Sequence, residues 1–167
     1  MGQVFSREMF AIADPTIGQL NIGGEPKKGT ELCVETYQLL EATEGLNFIG
    51  NIEGNNFMLG PCDVVVTDGF TGNNTLKMVE GFARFMGALL QHPKISDTEK
   101  SSLKPVLGFL QKNFTYEVYG GAMLLGVDGI SIISHGRSSS VAIANAVKVA
   151  AEMIQNEIPA KLAAAHS

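Results

Sequence analysis

Asp63-Val64-Val65-Val66-Thr67-Asp68 is the stretch on which the fold turns. Three consecutive valines without polar alternation predict a strand buried on both faces, as in a parallel sheet covered by helices. Gly69 to Gly72 read as a turn, with Asn73 or Asn74 capping the helix behind it. That helix carries Val79, Phe82, Met86 and Leu89 at spacings of three and four, widened by Met78, Phe85 and Leu90. The stripe reads as core or dimer interface, with attachment to a membrane surface as the alternative.

On the N-terminal side, residues 3–12 read as a short helix with Val4, Phe5, Met9 and Ile12 on its apolar side, ended by Asp14-Pro15. Ile17 to Ile22 predicts a strand closed by Gly23-Gly24-Glu25-Pro26. Thr30 then caps a helix carrying Cys33, Tyr37 and Leu40. Leu46 to Ile52 predicts a second strand. On the C-terminal side, His92 to Asp97 is a polar break. A helix follows over roughly residues 98–113, kinked or opened by Pro105. Gly129 to Ser134 reads as a fourth strand, and serines 138–140 lead into a last helix. Its buried line is Ile143, Val147, Ala150, Ile154 and Ile158, with a frayed tail from Ala160 to Ser167. Strands alternating with helices predict a single α/β unit, helices on both faces of a mostly parallel sheet.

The 167 residues suit one domain, and 45% apolar against 17% charged content supplies a sizeable core. Twelve basic against 17 acidic residues leave a net charge of −5, the wrong sign for phosphate-driven nucleic-acid binding. The 19 glycines, without matching proline or serine, indicate tight turns and close backbone approaches. Cys33 and Cys62 form neither a CxxC nor a histidine-paired cluster, so they read as buried thiols of a reducing, cytoplasmic compartment and no metal site is expected. No run of 18 apolar residues and no leader pattern occurs. Met1 to Ser6 fits the myristoylation pattern formally, but reads more simply as the start of the first helix.

In open α/β sheets ligands bind beyond the carboxyl ends of the strands. All four predicted strands end there in glycine-containing polar turns, and two of these run into helix N-termini that favour anions. The turn Asp68-Gly69-Phe70-Thr71-Gly72-Asn73 is the foremost candidate: Gly69 and Gly72 permit close backbone approach, Thr71 and Asn73 offer donors, and Lys77 adds charge one turn on. An ordinary capped turn is the competing reading, since neither a Walker A loop nor a GxGxxG fingerprint is present. His135, between Ser134 and Gly136, is the one histidine at a predicted strand end, with Arg137 and Ser138 as neighbouring donors. Asn51, Glu53 and Asp68 close strand ends, the carboxylates suiting either a general base or a cap. Lys27-Lys28 reads as a solvated loop.

These motifs together resemble a known family. Gly45 to Gly54 (GLNFIGNIEG), Asp63 to Asn73 (DVVVTDGFTGN), Thr75-Leu76-Lys77 and Glu80-Gly81 are similar to the phosphate acyltransferases of bacterial phospholipid synthesis, the PlsX type. Leu20-Asn21-Ile22-Gly23, Tyr119-Gly120-Gly121-Ala122, Leu125-Gly126-Val127 and Ser134-His135-Gly136 with Ser138 extend the likeness along the chain.

The resemblance implies an enzyme that moves a fatty acyl group from acyl carrier protein to inorganic phosphate without a cofactor. Its acyl phosphate passes to a membrane acyltransferase. The implied fold is that of phosphotransacetylases and isocitrate/isopropylmalate dehydrogenases, and the implied assembly is a homodimer peripheral to the membrane through a helical projection near residues 80–112. By the same likeness His135, Asn73 and Asp68 take catalytic positions. Gly69, Thr71, Gly72, Lys77, Asn51, Glu53, Gly136 and Ser138 take phosphate- or substrate-binding ones. Family members are about twice as long, and the match is to their C-terminal half. The expectation is therefore an incomplete cleft, inactive alone, with exposed apolar surface or an unpaired sheet edge. A coenzyme A-dependent short-chain phosphate acyltransferase and an inactive remnant that only dimerises or binds a partner are the alternatives.

Overall fold

The computed structural model describes residues 1–113 and 120–165. Tyr119 of the resemblance, and His166 with the end of the tail, lie outside the described residues. The chain divides into two compact units: residues 1–69, 125–129 and from 152 onward make one, residues 70–124 and 130–151 the other.

The first unit holds a three-stranded parallel sheet. Strand β1 (Thr16–Asn21) is central, flanked by β2 (Asn47–Glu53) and β3 (Val64–Val66), in the order β2-β1-β3. Helix α2 (Glu31–Ala42) is the crossover between β1 and β2, as parallel pairing requires. Residues Ile17 to Asn21 are all buried, whereas the three valines of β3 are only half-buried. The doubly buried strand is therefore β1 and not the valine run, because β3 stands at a sheet edge. Strand order is a long-range property that local hydropathy does not carry.

Register slips once between β1 and β2, where Ile17 pairs with Phe48 and Gly18 with Gly50, leaving Ile49 unpaired. Gly50 takes φ 92° at that bulge, and the ring of Tyr37 lies above it, itself edge-to-face with Phe48 at 5.1 Å. Thr30 caps α2 as expected, its Oγ1 accepting from the Cys33 N–H at 3.3 Å. Below the sheet's start, Asp63 accepts from both the N–H and the hydroxyl of Thr16, at 2.8 and 2.6 Å, which ties β3 to β1.

Helix α1 (Gly2–Phe10) stops before the predicted end, with Ala11 in the left-handed region at φ 55°. The chain must turn there to bring the buried Pro15 to the start of β1. Gly2 lies against Val64 of β3. The core of this unit is Phe5, Ile17, Leu20, Ile52, Met153, Ile158 and Leu162, each worth roughly 1.5–3 kcal/mol on full burial. Both Ile158 and Leu162 belong to the terminal helix (Ile158–Ala164), which packs on α1 and is held by Lys161 to Glu8 and by Asn156 to the Glu8 carbonyl. This segment is ordered core and not the frayed tail expected from its alanines.

The second unit contains α3 (Gly69–Leu89, from Phe70 on), α4 (Asp97–Asn113), the antiparallel pair β4 (Ala122–Met123) and β5 (Ile132–Ile133), and most of α5 (Ser140–Gln155); the terminal helix is α6. The fourth predicted strand thus shrinks to two residues and pairs with β4, outside the parallel sheet. Gly129 at φ 141° and the bends around it leave little extended chain. Ser96 and Glu99 form a reciprocal capping box on α4, and Pro105 is carried inside that helix.

Helix α5 buries Ala142 and Ala146, while Ile143, Val147 and Ile154 are 47%, 64% and 66% exposed. The expected buried line is displaced by one residue, because small side chains are needed on the inner face. Gly120 lies against the α5 backbone at Asn145 and Ala146, too close for any Cβ. Ile143, Val147 and Ile154 are then left exposed, while Met153 of the same helix is buried. Helix α3 likewise buries no residue fully, and Phe82 and Phe85 are more than half exposed.

Candidate functional site

The carboxyl ends of β1 and β3, with the first turns of α2, enclose a cleft of about 200 Å³. Gln19, Leu20, Leu32, Cys33, Thr36, Val66, Thr67 and Asp68 line it. Its position beyond parallel strand ends is the one expected for a ligand in an α/β sheet. Among the described lining residues Asp68 is the charged side chain.

Gln19 is 3% exposed; its Nε2 donates to the Cys33 carbonyl at 2.8 Å, and its Oε1 is buried without a partner among the described residues. Beyond it, Asn21 also spends its amide on local structure, donating to the Lys28 carbonyl at 2.9 Å and accepting from the Ile22 N–H at 2.8 Å. This clamp folds the Gly23–Gly29 turn back over the strand end. Gly29, at φ 89°, sits so close to Asn21 Oδ1 and to Cys33 that a Cβ would collide with both.

Of the candidates on β2, Asn51 serves the same turn. Asn51 donates to the Glu25 carbonyl at 2.9 Å, while its Oδ1 is buried and unpartnered among the described residues. Glu53 is half-buried at the last register position, opposite Asn21. Cys33 and Cys62 are both free thiols and both half-exposed, less buried than expected. Burial still pushes the Cys62 thiol up from its ordinary value, because desolvation disfavours the thiolate more than the nearby Gly18 and Val64 backbone groups favour it.

The foremost sequence motif is rearranged. Gly69 already opens α3, so Gly69, Thr71, Gly72 and Asn73 occupy its first turns, and Asp68 takes the preceding position, for which Asp is well suited. Asn73 is therefore not the cap. The carbonyls of this segment draw side-chain donors from within the helix: Asn74 Nδ2 to Phe70 O and Thr75 Oγ1 to Thr71 O, both at 2.9 Å. Lys77 does not add uncompensated charge either, since Glu80 holds it at 3.0 Å and also meets Arg84 at 3.5 Å.

In the second unit His135 is exposed in a turn that Ser138 N–H closes on the His135 carbonyl at 2.9 Å. The ring Nδ1 accepts from the Arg137 N–H at 3.4 Å. Gly136 is exposed in the same turn, and Ser138 Oγ is buried without a partner among the described residues. Asp68 is thus the sequence-derived candidate that lines the cleft; Asn51 and Glu53 stand on β2 of the same unit. Thr71, Gly72, Asn73, Lys77, His135, Gly136 and Ser138 belong to the second unit. Gln19, Thr36 and Thr67 escaped the sequence reading. A glutamine flanked by Gly18 and Leu20 in the central strand was the available signal.

No helix among the described residues is long and apolar enough to cross a membrane. The profile of the family described as "Fatty acid synthesis protein" matches residues 1–161. Among curated proteins, the phosphate acyltransferase of Thermodesulfovibrio yellowstonii is 45% identical over 163 residues, 95% of this chain and 47% of that protein. That of Dictyoglomus thermophilum is 44% identical over 97% of the chain and 49% of its own length. The Bacillus subtilis phosphate acyltransferase is 40% identical over 96% and 49% respectively. The chain spans about half the length of the curated relatives it matches. The motif resemblance and the profile agree along nearly the whole sequence, and the chain belongs to the fatty acid synthesis protein family.

Proposed function

We propose that this chain takes part in moving an acyl group from a thioester of acyl carrier protein to inorganic phosphate, giving an acyl phosphate. The observation that carries the reading is the match over residues 1–161, with relatives named phosphate acyltransferase at 40–45% identity. In this reaction a phosphate oxygen forms a bond to the acyl carbon, the carbon–sulfur bond breaks, and the thiolate leaves. Phosphate is an oxyanion at neutral pH, so the site needs oriented donors more than a strong base.

Asn73, His135 and Ser138 are the proposed donors to the developing oxyanion, each worth on the order of 3 kcal/mol when well placed. The buried Ser138 Oγ, without a partner among the described residues, supports this assignment. The finer parts of the reading are a phosphotransacetylase-like fold, a cytoplasmic protein peripheral to the membrane, and a homodimer. The parallel sheet of the first unit supports the first of these, and the exposed apolar residues of α3 support a covered face.

The test is phosphate-dependent loss of the acyl group from acyl carrier protein. It is run with this chain alone, then with the remaining half of the Bacillus subtilis relative supplied in trans. Transfer is expected on complementation, with Asn73→Ala and His135→Ala each lowering the rate about 10²–10³-fold. Both residues are exposed, so the variants fold and the loss reads on chemistry. Transfer in neither arm by a folded chain overturns the reading, and preferential use of coenzyme A thioesters replaces the donor.

A further inference from the structure

We propose that the stripe Ile143, Val147 and Ile154 of α5 is the seat of the polypeptide that makes up the other half of the longer relatives. The proposal rests on the reading that this chain works together with such a half, and not on the chemistry of the transfer. Helical geometry gives the first argument. At about 100° per residue the three side chains fall within roughly 40° of one another, with Ala144 and Ala151 beside them. The buried line of Ala142, Ala146 and Met153 runs along one side of the stripe, and Lys148, Glu152 and Gln155 along the other. A surface helix needs one apolar stripe toward its core and one polar face toward water. Helix α5 has both, and the second apolar stripe belongs to neither.

Exposure gives the second argument. All three side chains are about half exposed or more, so no described residue covers them fully. Single exposed apolar residues are ordinary on a surface, but a row of them beside the core line is not.

Length chooses the occupant. The matches take in 95–97% of this chain and only 47–49% of the relatives, so each relative carries about as much polypeptide again. An element laid on the stripe continues the layer that the buried line of α5 begins, as elements within one domain do. Ala144 and Ala151 let that element come close. A lipid surface fits less well. An interfacial helix sets a Lys- or Arg-rich face against its apolar one, whereas Lys148 is the one basic residue of α5, with Glu152 a turn further on. A second copy of the chain lacks the area: the stripe is about 17 Å long and about 10 Å wide, far below the roughly 800 Å² per partner that joins independent folded proteins. As one strip of a domain interior it needs no such area.

The test puts a probe on the stripe. Val147→Cys in the full chain is labelled with a maleimide, alone and with the remaining half of the Bacillus subtilis relative, first co-expressed and then joined to it in one polypeptide. Ile143→Cys replaces it should that variant not fold. Labelling is read by peptide mass, which separates the probe from Cys33 and Cys62. The chain alone is expected to label rapidly, and the other half to slow the reaction about tenfold or more in either form. Leu39→Cys, at a comparably exposed position on α2, should slow by less than about twofold. Ile143→Gln with Ile154→Gln should weaken retention of the co-expressed half about tenfold and leave the chain's own thermal midpoint in place.

Rapid labelling with the other half present in both forms overturns the proposal, as does equal protection of the two probe positions. Protection that grows with the chain's own concentration overturns it in favour of a second copy, and protection by phosphatidylglycerol vesicles alone in favour of a lipid surface. Acyl transfer on the same preparations is a separate readout: protection without transfer keeps the seat and fails the acyl-transfer reading, and transfer without protection does the reverse.

Discussion

Asp63 shows how much a single exposed side chain can organise. Its carboxylate takes two hydrogen bonds from Thr16, and these hold its pKa below the usual carboxylate range, the hydroxyl bond first and the backbone bond second. The unfolded chain therefore binds this proton more readily than the folded one. The stability it contributes is full above the ordinary carboxylate value, about pH 4, and is lost as pH falls through the lower folded value. Asp63→Asn should lower the urea midpoint at pH 6, and the gap to wild type should close as pH falls below the ordinary carboxylate value. A constant gap across that range contradicts this role. Asp63 opened the most informative stretch of sequence, yet its role was not legible there. Its partner Thr16 lies 47 positions away and meets it only once β1 and β3 pair. That Asp68 stands at a strand end, where it lines the cleft, was legible because such a position is local information, whereas the place of Gln19 required knowing that β1 is central.

At the scale of elements, local chemistry predicted best where side chains address their own backbone. The Thr30 cap and the helix after His92 are both present, and Ser96 with Glu99 supplies the reciprocal cap of α4. Ser96→Ala should cost about 1 kcal/mol and fray the first turn of α4, seen as faster amide exchange at residues 97–100. Unchanged exchange there would mean the cap carries no weight. Prediction failed where tertiary packing chose between two faces. Helix α5 buries Ala142 and Ala146, the latter against Gly120, and leaves Val147 and Ile154 exposed, which side-chain size alone does not suggest. The two glycines after Asp68 imitate a turn, but Gly69 starts a 21-residue helix whose other residues outweigh their low propensity.

At the scale of the whole chain, the α/β class and the family were legible because strand-end motifs recur in order along nearly all of the sequence. The exposed apolar residues of α3 were legible only as an apolar stripe, since what covers it is not encoded in one chain's periodicity. Phe82 and Phe85 are 54% and 57% exposed, so Phe82→Gln with Phe85→Gln should leave the chain's thermal midpoint nearly unmoved, each substitution within about 0.5 kcal/mol. The same pair should weaken self-association or vesicle binding, read by sedimentation and flotation; a large loss of stability would instead make the stripe core. At the centre of the proposed function stands attack of a phosphate oxygen on the acyl carbon. The direct measurement supplies acyl carrier protein thioester and fully ¹⁸O-labelled phosphate to the complemented chain and weighs the product. The expected product is an acyl phosphate that retains every labelled oxygen, formed only when phosphate is present. Release of unlabelled free fatty acid at the same rate with or without phosphate would contradict it.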